Sequence, residues 1–227
     1  MKICVMQPYF LPYLGYWQLL KYVDKYIIFD DVNYIKKGYI NRNKILLKTG
    51  LYQFTLSIDR VSQNKKIYEL ELLDGHDKIL KTISQGYKNS VNFKALYPDI
   101  EDIFNFKAQF LVDFIEHSIK KICKLLSIDI EIIKSSEILL AETGINKIIP
   151  LCKLYSANVY VNPIGGIDLY KKEDFLDHNI ELKFIKSIPM EYEQLKIPFH
   201  PNLSILDFLF NVPKAEWATH LGSYEVL

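Results

Sequence analysis

The feature that most constrains the fold is a unit of strand, loop, helix and strand within residues 3–31. The apolar run Ile3 to Met6 predicts a strand, and Tyr16 to Val23 has the apolar spacing of a helix. A second apolar run, Tyr26 to Phe29, predicts a strand that ends at the acidic pair Asp30-Asp31. Strands joined through a helix run parallel, and ligands bind where parallel strands end. The segment therefore predicts both a fold and a binding site.

The last third of the chain repeats this alternation of strands and helices. The pattern predicts strands at Ile130 to Ile133, Val159 to Val161 and Leu182 to Ile185, and helices at Ile145 to Tyr155 and Leu169 to Leu176. Such alternation is typical of an α/β protein with a Rossmann-like, open, mainly parallel sheet. We expect both ends of the chain to contribute strands to that sheet.

The middle of the chain has a different periodicity. Apolar residues recur at helical spacing from Asp77 to Leu126, which predicts two or three helices with a break at Tyr97-Pro98. Before them, Lys44 to Leu47 and Tyr52 to Ser57 predict a hairpin, and Ile67 to Leu72 predicts a further strand. The expected organisation is one α/β domain over residues 1–227, with residues 75–127 as a helical insertion.

Composition narrows the function classes. The formal net charge of +1 gives no overall field that would attract nucleic acid or a membrane surface. No apolar run approaches the ~20 residues of a membrane span, so we expect a cytoplasmic protein without one. The three cysteines, Cys4, Cys123 and Cys152, are far apart, which predicts buried thiols rather than disulfides or a metal site.

The loop after the first strand is the first candidate site. A loop between a strand and a helix brings backbone N–H groups to the positive end of that helix, where phosphate binds. Gly15 would allow a ligand to approach the backbone, and Gln7, Tyr9 and Tyr16 are candidate binding residues. The alternative is a turn stiffened by prolines with the aromatic rings packed beneath it.

The second candidate site follows the second strand. Its members are the carboxylates Asp30 and Asp31, then Tyr34, Lys36, Lys37, Asn41 and Arg42. The carboxylates could act as a general base, hold a metal or bind sugar hydroxyls, and the cations could neutralise a diphosphate. The alternative is a solvated loop whose charges cancel.

A third polar segment follows the strand at Val159 to Val161. Asn162, Gly165 and Gly166 stand between that strand and a predicted helix, but their spacing matches no GxGxxG or P-loop motif. On its own the segment indicates a turn. As a second polar turn in the same sheet, it is a candidate for the opposite lip of one cleft.

The fourth segment lies near the C-terminal end. Ser204 is predicted to cap a helix with Asp207 at its third position, close to a capping box. His200 precedes a proline in an extended loop and is a candidate catalytic acid or base, although a single histidine is more often a surface or packing residue. The other histidines have no companions at metal-ligand spacing, so no metal site is predicted.

Together these segments resemble a known family. MQPYFLPYLGYWQLLKYVDKYIIFDDVNYIKKGYINRNKIL, VSQNKK, VNPIGGIDLY and EYEQLKIPFHPNLSILD are similar to the WbqC-like family of bacteria over nearly the whole chain. Many members have histidine where this chain has Met6. The resemblance implies a cytoplasmic, sugar-modifying role in O-antigen or other surface-polysaccharide biosynthesis. It also implies a nucleotide diphosphate at Lys36, Lys37 and Arg42 and a sugar amine or hydroxyl at Asp30 or Asp31.

A more distant resemblance concerns the start of the first helix. Tyr13-Leu14-Gly15-Tyr16 is placed like the HxGH motif of nucleotidylyltransferases and adenylate-forming synthetases, which implies a similar fold. Both histidine positions are tyrosine here, and tyrosine supplies no imidazolium charge. ATP activation through this motif is therefore the less favoured expectation.

Three functions follow as hypotheses. The leading one is a transferase that places an acyl or aminoacyl group on the amine of a nucleotide-linked sugar, with Asp30 or Asp31 as base. The others are a nucleotidylyltransferase or adenylate-forming ligase, and a sugar-nucleotide binding protein without catalysis. No motif identifies the cosubstrate, so an acyl donor and ATP are both candidates, and the sequence leaves open whether the chain is a monomer or a homodimer.

Overall fold

The computed structural model describes residues 1–60, 62–195 and 198–227. A six-stranded sheet lies at its centre, with strand order β5-β2-β1-β6-β7-β8. Its strands are β1 (Lys2–Met6), β2 (Lys25–Ile28), β5 (Glu131–Lys134), β6 (Val159–Pro163), β7 (Glu181–Ser187) and β8 (Tyr224–Val226). The first five are parallel to their neighbours, and β8 joins β7 antiparallel. The prediction of a Rossmann-like, mainly parallel sheet is confirmed.

Helices cover both faces of this sheet. They are α1 (Leu14–Tyr22), α2 (Asp77–Tyr87), α3 (Phe93–Asn105), α4 (Leu111–Leu125), α5 (Ile148–Leu154), α6 (Lys172–Leu176), α7 (Ile205–Asn211) and α8 (Trp217–Leu221). Cys4 of β1 belongs to a large apolar cluster with α1 to α4, whereas Ile3 and Val5 belong to a smaller one with α5 and α6. Alternate side chains of one strand therefore point into two cores, which is why the strand is apolar throughout.

The predicted hairpin is confirmed as a separate antiparallel pair, β3 (Arg42–Leu47) and β4 (Gly50–Thr55). The strand predicted at Ile67 to Leu72 is wrong, because Ile67–Glu69 is a 3₁₀ turn. The Glu69 carboxylate accepts a hydrogen bond from the Lys66 backbone N–H at 2.6 Å, which stabilises the start of this turn. At the end of the predicted run, Glu71 and Leu72 form isolated bridges, to Phe110 and Ile58 respectively.

Three helices occupy the middle of the chain, but the break predicted at Tyr97-Pro98 is wrong. Pro98 lies inside α3, whose buried positions Leu96, Ile100, Ile103 and Phe104 continue across it. Burial of that face offsets the one hydrogen bond that the proline cannot donate. The helices end instead near Lys88 and Phe106. They share the large apolar cluster with α1, and their treatment as an insertion stays a prediction.

Two helices begin later than predicted. Gly144–Lys147 and Ile164–Leu169 form 3₁₀ turns, which α5 and α6 follow. The predicted cap is present, since Ser204 Oγ accepts a hydrogen bond from the Leu206 N–H at 3.4 Å. The role predicted for Asp207 is wrong. Its buried carboxylate accepts hydrogen bonds from the Tyr87 and Tyr192 hydroxyls at 2.6 and 2.9 Å, and from the Gln194 amide at 3.0 Å.

The loop from β1 to α1 is fixed by hydrogen bonds to its carbonyl groups. Asn43 Nδ2 donates to the Phe10 and Leu11 carbonyls at 3.1 and 2.7 Å, and Ser204 Oγ donates to the Leu11 carbonyl at 2.8 Å. The indole of Trp17 donates to the Pro12 carbonyl at 3.0 Å. Since the Phe10 and Leu11 side chains are fully buried, this loop has one well-defined position.

The three cysteines are free and buried, as predicted. Burial raises the pKa of each thiol, so each stays protonated at neutral pH. Within the three described ranges, no helix is long and apolar enough to cross a membrane.

The Asn43 amide should be a main determinant of stability. Replacing it in Asn43→Ala removes the donors to two buried carbonyls, and we expect the free energy of unfolding to fall by about 2 kcal/mol. Urea denaturation measures the change. Asn64→Ala is the matched control because Asn64 is exposed, and its effect should stay within about 0.5 kcal/mol. Equal effects of the two substitutions would contradict the role given to Asn43.

Candidate functional site

A cleft of about 560 Å³ opens where β1 and β6 end. From β1 the chain proceeds to β2 and β5 on one side of the sheet, whereas β6 and β7 lie on the other side. The order of strands therefore reverses between β1 and β6. In open α/β sheets this reversal leaves a crevice beyond the carboxyl ends of the strands, and ligands bind there. The cleft occupies that position.

Seven of the predicted binding residues line this cleft. They are Gln7, Tyr9, Gly15, Tyr16, Asn162, Gly165 and Gly166. The loops after β1 and β6 thus form two sides of one cavity. Its remaining walls are mostly apolar or aromatic, and they include Tyr13, Phe29, Ile35, Ile145, Leu169 and Tyr170. All of these lining residues are uncharged.

Asn162 carries the main polar group of the cleft. The residue is 6% exposed and lines the cleft, and no group in the described part of the chain forms a hydrogen bond with its side-chain amide. This amide is not one of the fully buried side-chain groups without a partner in the described residues, so it is open to the cleft and available to a ligand. Gly166 holds the amide in place, because a Cβ atom there would lie 2.0 Å from Asn162 Nδ2.

The N-terminus of α1 faces the same cleft through Gly15. No side chain among the described residues caps this helix, and its first turn has no acidic residue. Gly15 is required by packing, since a Cβ atom there would lie 2.5 Å from the Tyr13 ring and 3.2 Å from Ser187 Cβ. The helix end therefore offers partial positive charge to an anionic group.

Tyr16 supports the site from its buried side. Its hydroxyl contacts the Tyr26 hydroxyl and lies 3.4 Å from the Gln7 carbonyl oxygen. Tyr26 in turn donates to the Met6 carbonyl at 3.2 Å. Burial raises the pKa of Tyr16 well above its usual value, so the hydroxyl stays neutral. These contacts fix the end of β1. Because the Tyr16 hydroxyl is engaged in them, Tyr16 contributes its ring to the lining of the cleft.

The structure places Asp30 away from the cleft. The residue has no exposed surface, and its carboxylate accepts hydrogen bonds from Ser135 Oγ at 3.0 Å, the Ser136 N–H at 2.9 Å and Ser136 Oγ at 2.6 Å. Burial raises the pKa of Asp30, and the serine hydrogen bonds oppose that rise. A buried carboxylate with these partners is positioned to hold two strand ends together, and a catalytic role for Asp30 stays a prediction.

Asp31 is tied to a buried lysine. Its carboxylate accepts a hydrogen bond from Lys147 Nζ at 2.6 Å, and the lysine side chain is 3% exposed. Lys147 also donates to the Ser135 carbonyl at 2.8 Å. The Asp31 side chain keeps 19% of its surface exposed but does not line the cleft. Its proposed role as a base is therefore weakened by its partner and by its position.

The other residues of the second candidate segment lie on its loop or in the hairpin. The Tyr34 hydroxyl donates to Asn41 Oδ1 at 2.8 Å, and Asn41 Nδ2 donates to the Leu56 carbonyl at 2.8 Å. Arg42 Nε donates to the Gly38 carbonyl at 2.7 Å. Lys36 and Lys37 are exposed. None of these five lines the cleft, and the diphosphate contact expected of Lys36, Lys37 and Arg42 stays a prediction.

His200 also lies outside the residues that line the cleft. Gln194 holds its backbone, since the His200 N–H donates to Gln194 Oε1 at 2.8 Å and Gln194 Nε2 donates to the His200 carbonyl at 3.0 Å. A catalytic role for its imidazole stays a prediction. Val61 of VSQNKK, and Lys196 and Ile197 of the last motif, lie outside the described residues.

Comparison with known proteins identifies the family. The WbqC-like protein family matches residues 7–219. The chain belongs to this family. The curated relatives include the uncharacterized protein Rv1507c of Mycobacterium tuberculosis, which is 27% identical over 217 residues, or 93% of this chain and 94% of the relative. No solved structure matches the chain. Membership suggests a role in polysaccharide biosynthesis.

Sequence reasoning missed several residues of this WbqC-like protein. Ser135 and Ser136 follow β5 as Asp30 follows β2, and these strands are neighbours. Polar residues directly after a predicted strand were therefore an available signal. Lys147 gave no signal, because a single lysine in a helical segment is normally exposed. Tyr13 belongs to the first candidate loop but was not predicted to bind a ligand, although it lines the cleft.

The unpartnered amide of Asn162 leads to a test in this WbqC-like protein. Asn162→Ala should leave the free energy of unfolding within about 0.5 kcal/mol of the wild type, or raise it. Asn92→Ala is the matched buried control, because Asn92 Nδ2 donates to the Leu209 and Val212 carbonyls at 2.9 and 2.6 Å. It should cost about 2 kcal/mol. Urea denaturation without ligand measures both changes. If Asn162→Ala lowers the free energy of unfolding as much as Asn92→Ala does, the Asn162 amide has a structural partner.

Asp30 should give stability a dependence on pH. Because the folded-state pKa is raised by burial, the folded protein binds the proton before the unfolded chain as pH falls. The contribution of this residue to the free energy of unfolding therefore rises as pH falls through the folded-state pKa. Denaturation of the wild type and Asp30→Asn from neutral to mildly acidic pH should show their difference moving in favour of the wild type. A difference that moves the other way would contradict this assignment.

Proposed function

We propose that this WbqC-like protein is a transferase that acts on a nucleotide-linked amino sugar in surface-polysaccharide biosynthesis, by N-acyl or aminoacyl transfer. The observation that carries the proposal is the cleft between β1 and β6 with the unpartnered Asn162 amide in its wall. A cleft of about 560 Å³ is within the range of sites for small molecules. The role in polysaccharide biosynthesis rests on family membership.

The lining of the cleft supports a sugar as ligand. Amides on Gln7 and Asn162 can donate and accept hydrogen bonds with hydroxyl or acetamido groups. Aromatic rings such as Tyr170 offer apolar faces with a polar edge, which suits the two-sided chemistry of a sugar ring. The α1 N-terminus at Gly15 is the group available to an attached phosphate. Neutral hydrogen-bonding groups and one helix end thus replace the cationic site expected from Lys36, Lys37 and Arg42.

The reaction would then depend on positioning. The sugar nitrogen forms a bond to the acyl carbon, the bond from that carbon to the donor's leaving atom breaks, and the amine proton is transferred to that atom or to water. Gln7 and Asn162 side-chain N–H groups are the candidates to stabilise the negative charge that develops on the acyl oxygen. The lining residues in the described ranges include no carboxylate or histidine. Orientation of two bound substrates can supply much of the rate.

The uncharged lining also favours a second candidate, a sugar-nucleotide binding protein without catalysis. Such a protein needs the same cleft but no acid or base. It would bind the nucleotide sugar and leave it unchanged in the presence of any acyl donor. Activation of ATP is less favoured, because the residues that line the cleft offer its triphosphate no cation and the Tyr16 hydroxyl is already engaged.

A pair of glycines gives the sharpest test. In Gly166→Ala the new methyl group displaces the Asn162 amide, and we expect nucleotide-sugar affinity to fall about tenfold. The comparison variant, Gly165→Ala, adds a methyl group to the same wall of the cleft, but no protein atom lies within 4 Å of it, so Asn162 keeps its position and affinity should fall less. Calorimetric titration with UDP-, dTDP- and GDP-linked amino sugars measures binding.

Mass spectrometry after adding acyl thioesters and aminoacyl donors detects transfer. No binding of any nucleotide sugar by the wild type would refute the proposal. Binding without transfer to any amino sugar would leave the second candidate standing. A loss of binding in both alanine variants, or in neither, would show that the Asn162 amide is not the determinant.

A further inference from the structure

A second cavity adjoins the cleft and has not been given a role. Its volume is about 250 Å³, and its lining residues are Tyr9, Pro12, Tyr13, Tyr39, Asn43 and Asn202. We call it the side chamber. Tyr9 and Tyr13 line both the side chamber and the cleft, so the two cavities share a wall. Ligand-sized pockets commonly measure about 300–1,000 Å³, which makes the side chamber suited to part of a ligand.

The walls of the side chamber are aromatic. The Tyr9 and Tyr39 rings lie 6.1 Å apart between centroids, at an interplanar angle of 51°. No group in the described ranges forms a hydrogen bond with the Tyr9, Tyr13 or Tyr39 hydroxyl, so each is available to a ligand. The lining residues are uncharged, and Asn202 adds an amide at the exposed edge. Flat faces with a few hydrogen-bonding groups match a planar heterocycle.

The side chamber is rigid on the side of the loop between β1 and α1. Asn43 is 4% exposed, and its Nδ2 atom is occupied by the Phe10 and Leu11 carbonyls. The Pro12 carbonyl accepts hydrogen bonds from Trp17 Nε1 and the Ile205 N–H, both at 3.0 Å. A cavity held in this way needs little rearrangement to accept a flat ring, which favours binding.

The α1 N-terminus lies next to both cavities. Tyr13 is the residue that precedes α1 and lines both, and Gly15 in the first turn lines the cleft. A molecule with a ring in the side chamber and a sugar in the cleft would therefore carry its connecting group past the positive end of the helix. In a nucleotide-linked sugar that connecting group is the diphosphate.

We propose that the side chamber binds the base of the nucleotide-linked substrate whose sugar lies in the cleft. This assignment rests on the proposed function and adds to it where the nucleotide is recognised. Tyr9, Tyr13 and Tyr39 provide stacking surfaces, and the Asn202 amide can reach polar atoms at the edge of the base. Stacking on aromatic side chains tolerates different bases, so affinity should depend on the presence of a base more than on which base it is.

Tyr39 provides the test, because it lines the side chamber but not the cleft and is 50% exposed. Tyr39→Ala should raise the dissociation constants of UMP and UDP-N-acetylglucosamine about tenfold. Tyr39→Phe keeps the ring and should bind like the wild type. Tyr68→Ala is the matched control, since Tyr68 is 40% exposed and lines neither cavity. Calorimetric titration measures all four proteins, and thermal unfolding checks that they are folded.

The outcomes separate this inference from the proposed function. If the wild type binds UDP-N-acetylglucosamine or another nucleotide sugar and Tyr39→Ala binds it equally well, the inference is overturned and the proposed function stands. If the wild type binds no nucleotide sugar, both are overturned. A further titration uses S-acetyl-N-acetylcysteamine, an acyl thioester that has no base. If Tyr39→Ala loses affinity for this thioester but binds UMP as the wild type does, the side chamber binds the acyl donor and not the base, and the inference is overturned.

Discussion

The arrangement of the cleft depends on the carbonyl group of Leu11. This carbonyl accepts hydrogen bonds from Asn43 of the hairpin and Ser204 before α7, and so joins the β1 loop to two distant parts of the chain. Leu11 has φ of 46°, a left-handed conformation that is unfavourable for leucine. Complete burial of its side chain and these two hydrogen bonds offset that strain. The fixed backbone at Leu11 in turn determines the positions of Tyr9 and Tyr13, which lie two residues to either side.

Much of the fold could be predicted because apolar periodicity reports burial directly. β1 and β2 could be predicted because both faces of each strand are covered, which requires a nearly continuous apolar run in the sequence. The errors occurred where local pattern and tertiary context differ. Ile67 to Leu72 has strand-like residues, but a hydrogen bond between Glu69 and the Lys66 backbone favours a turn. Pro98 is tolerated within α3 because an apolar face of the helix is buried around it.

The site could be predicted as a location but not as a set of roles. Strand ends identify the polar segments that meet at one edge of a sheet, and the residues after β1 and β6 do line one cleft. Sequence does not reveal which polar groups already have partners. Asp30 looked reactive, but Ser135 and Ser136, more than a hundred positions away, occupy its carboxylate. Asn162 was predicted as a turn residue, but its amide lines the cleft and forms no hydrogen bond with the residues described here.

The low exposure of Asn162 affects the free-energy cost of removing water from its amide when a ligand binds. An exposed amide must release water before it can bind a ligand, which offsets most of the hydrogen bond it then forms. Folding leaves Asn162 only 6% exposed, with that surface in the cleft, so part of the cost of removing water is already borne by the folded protein. A ligand that reaches this amide therefore offsets a smaller dehydration cost than it would at an exposed side chain. Discrimination should be strict, because a molecule lacking a matching polar group would leave the amide dehydrated and still unpaired.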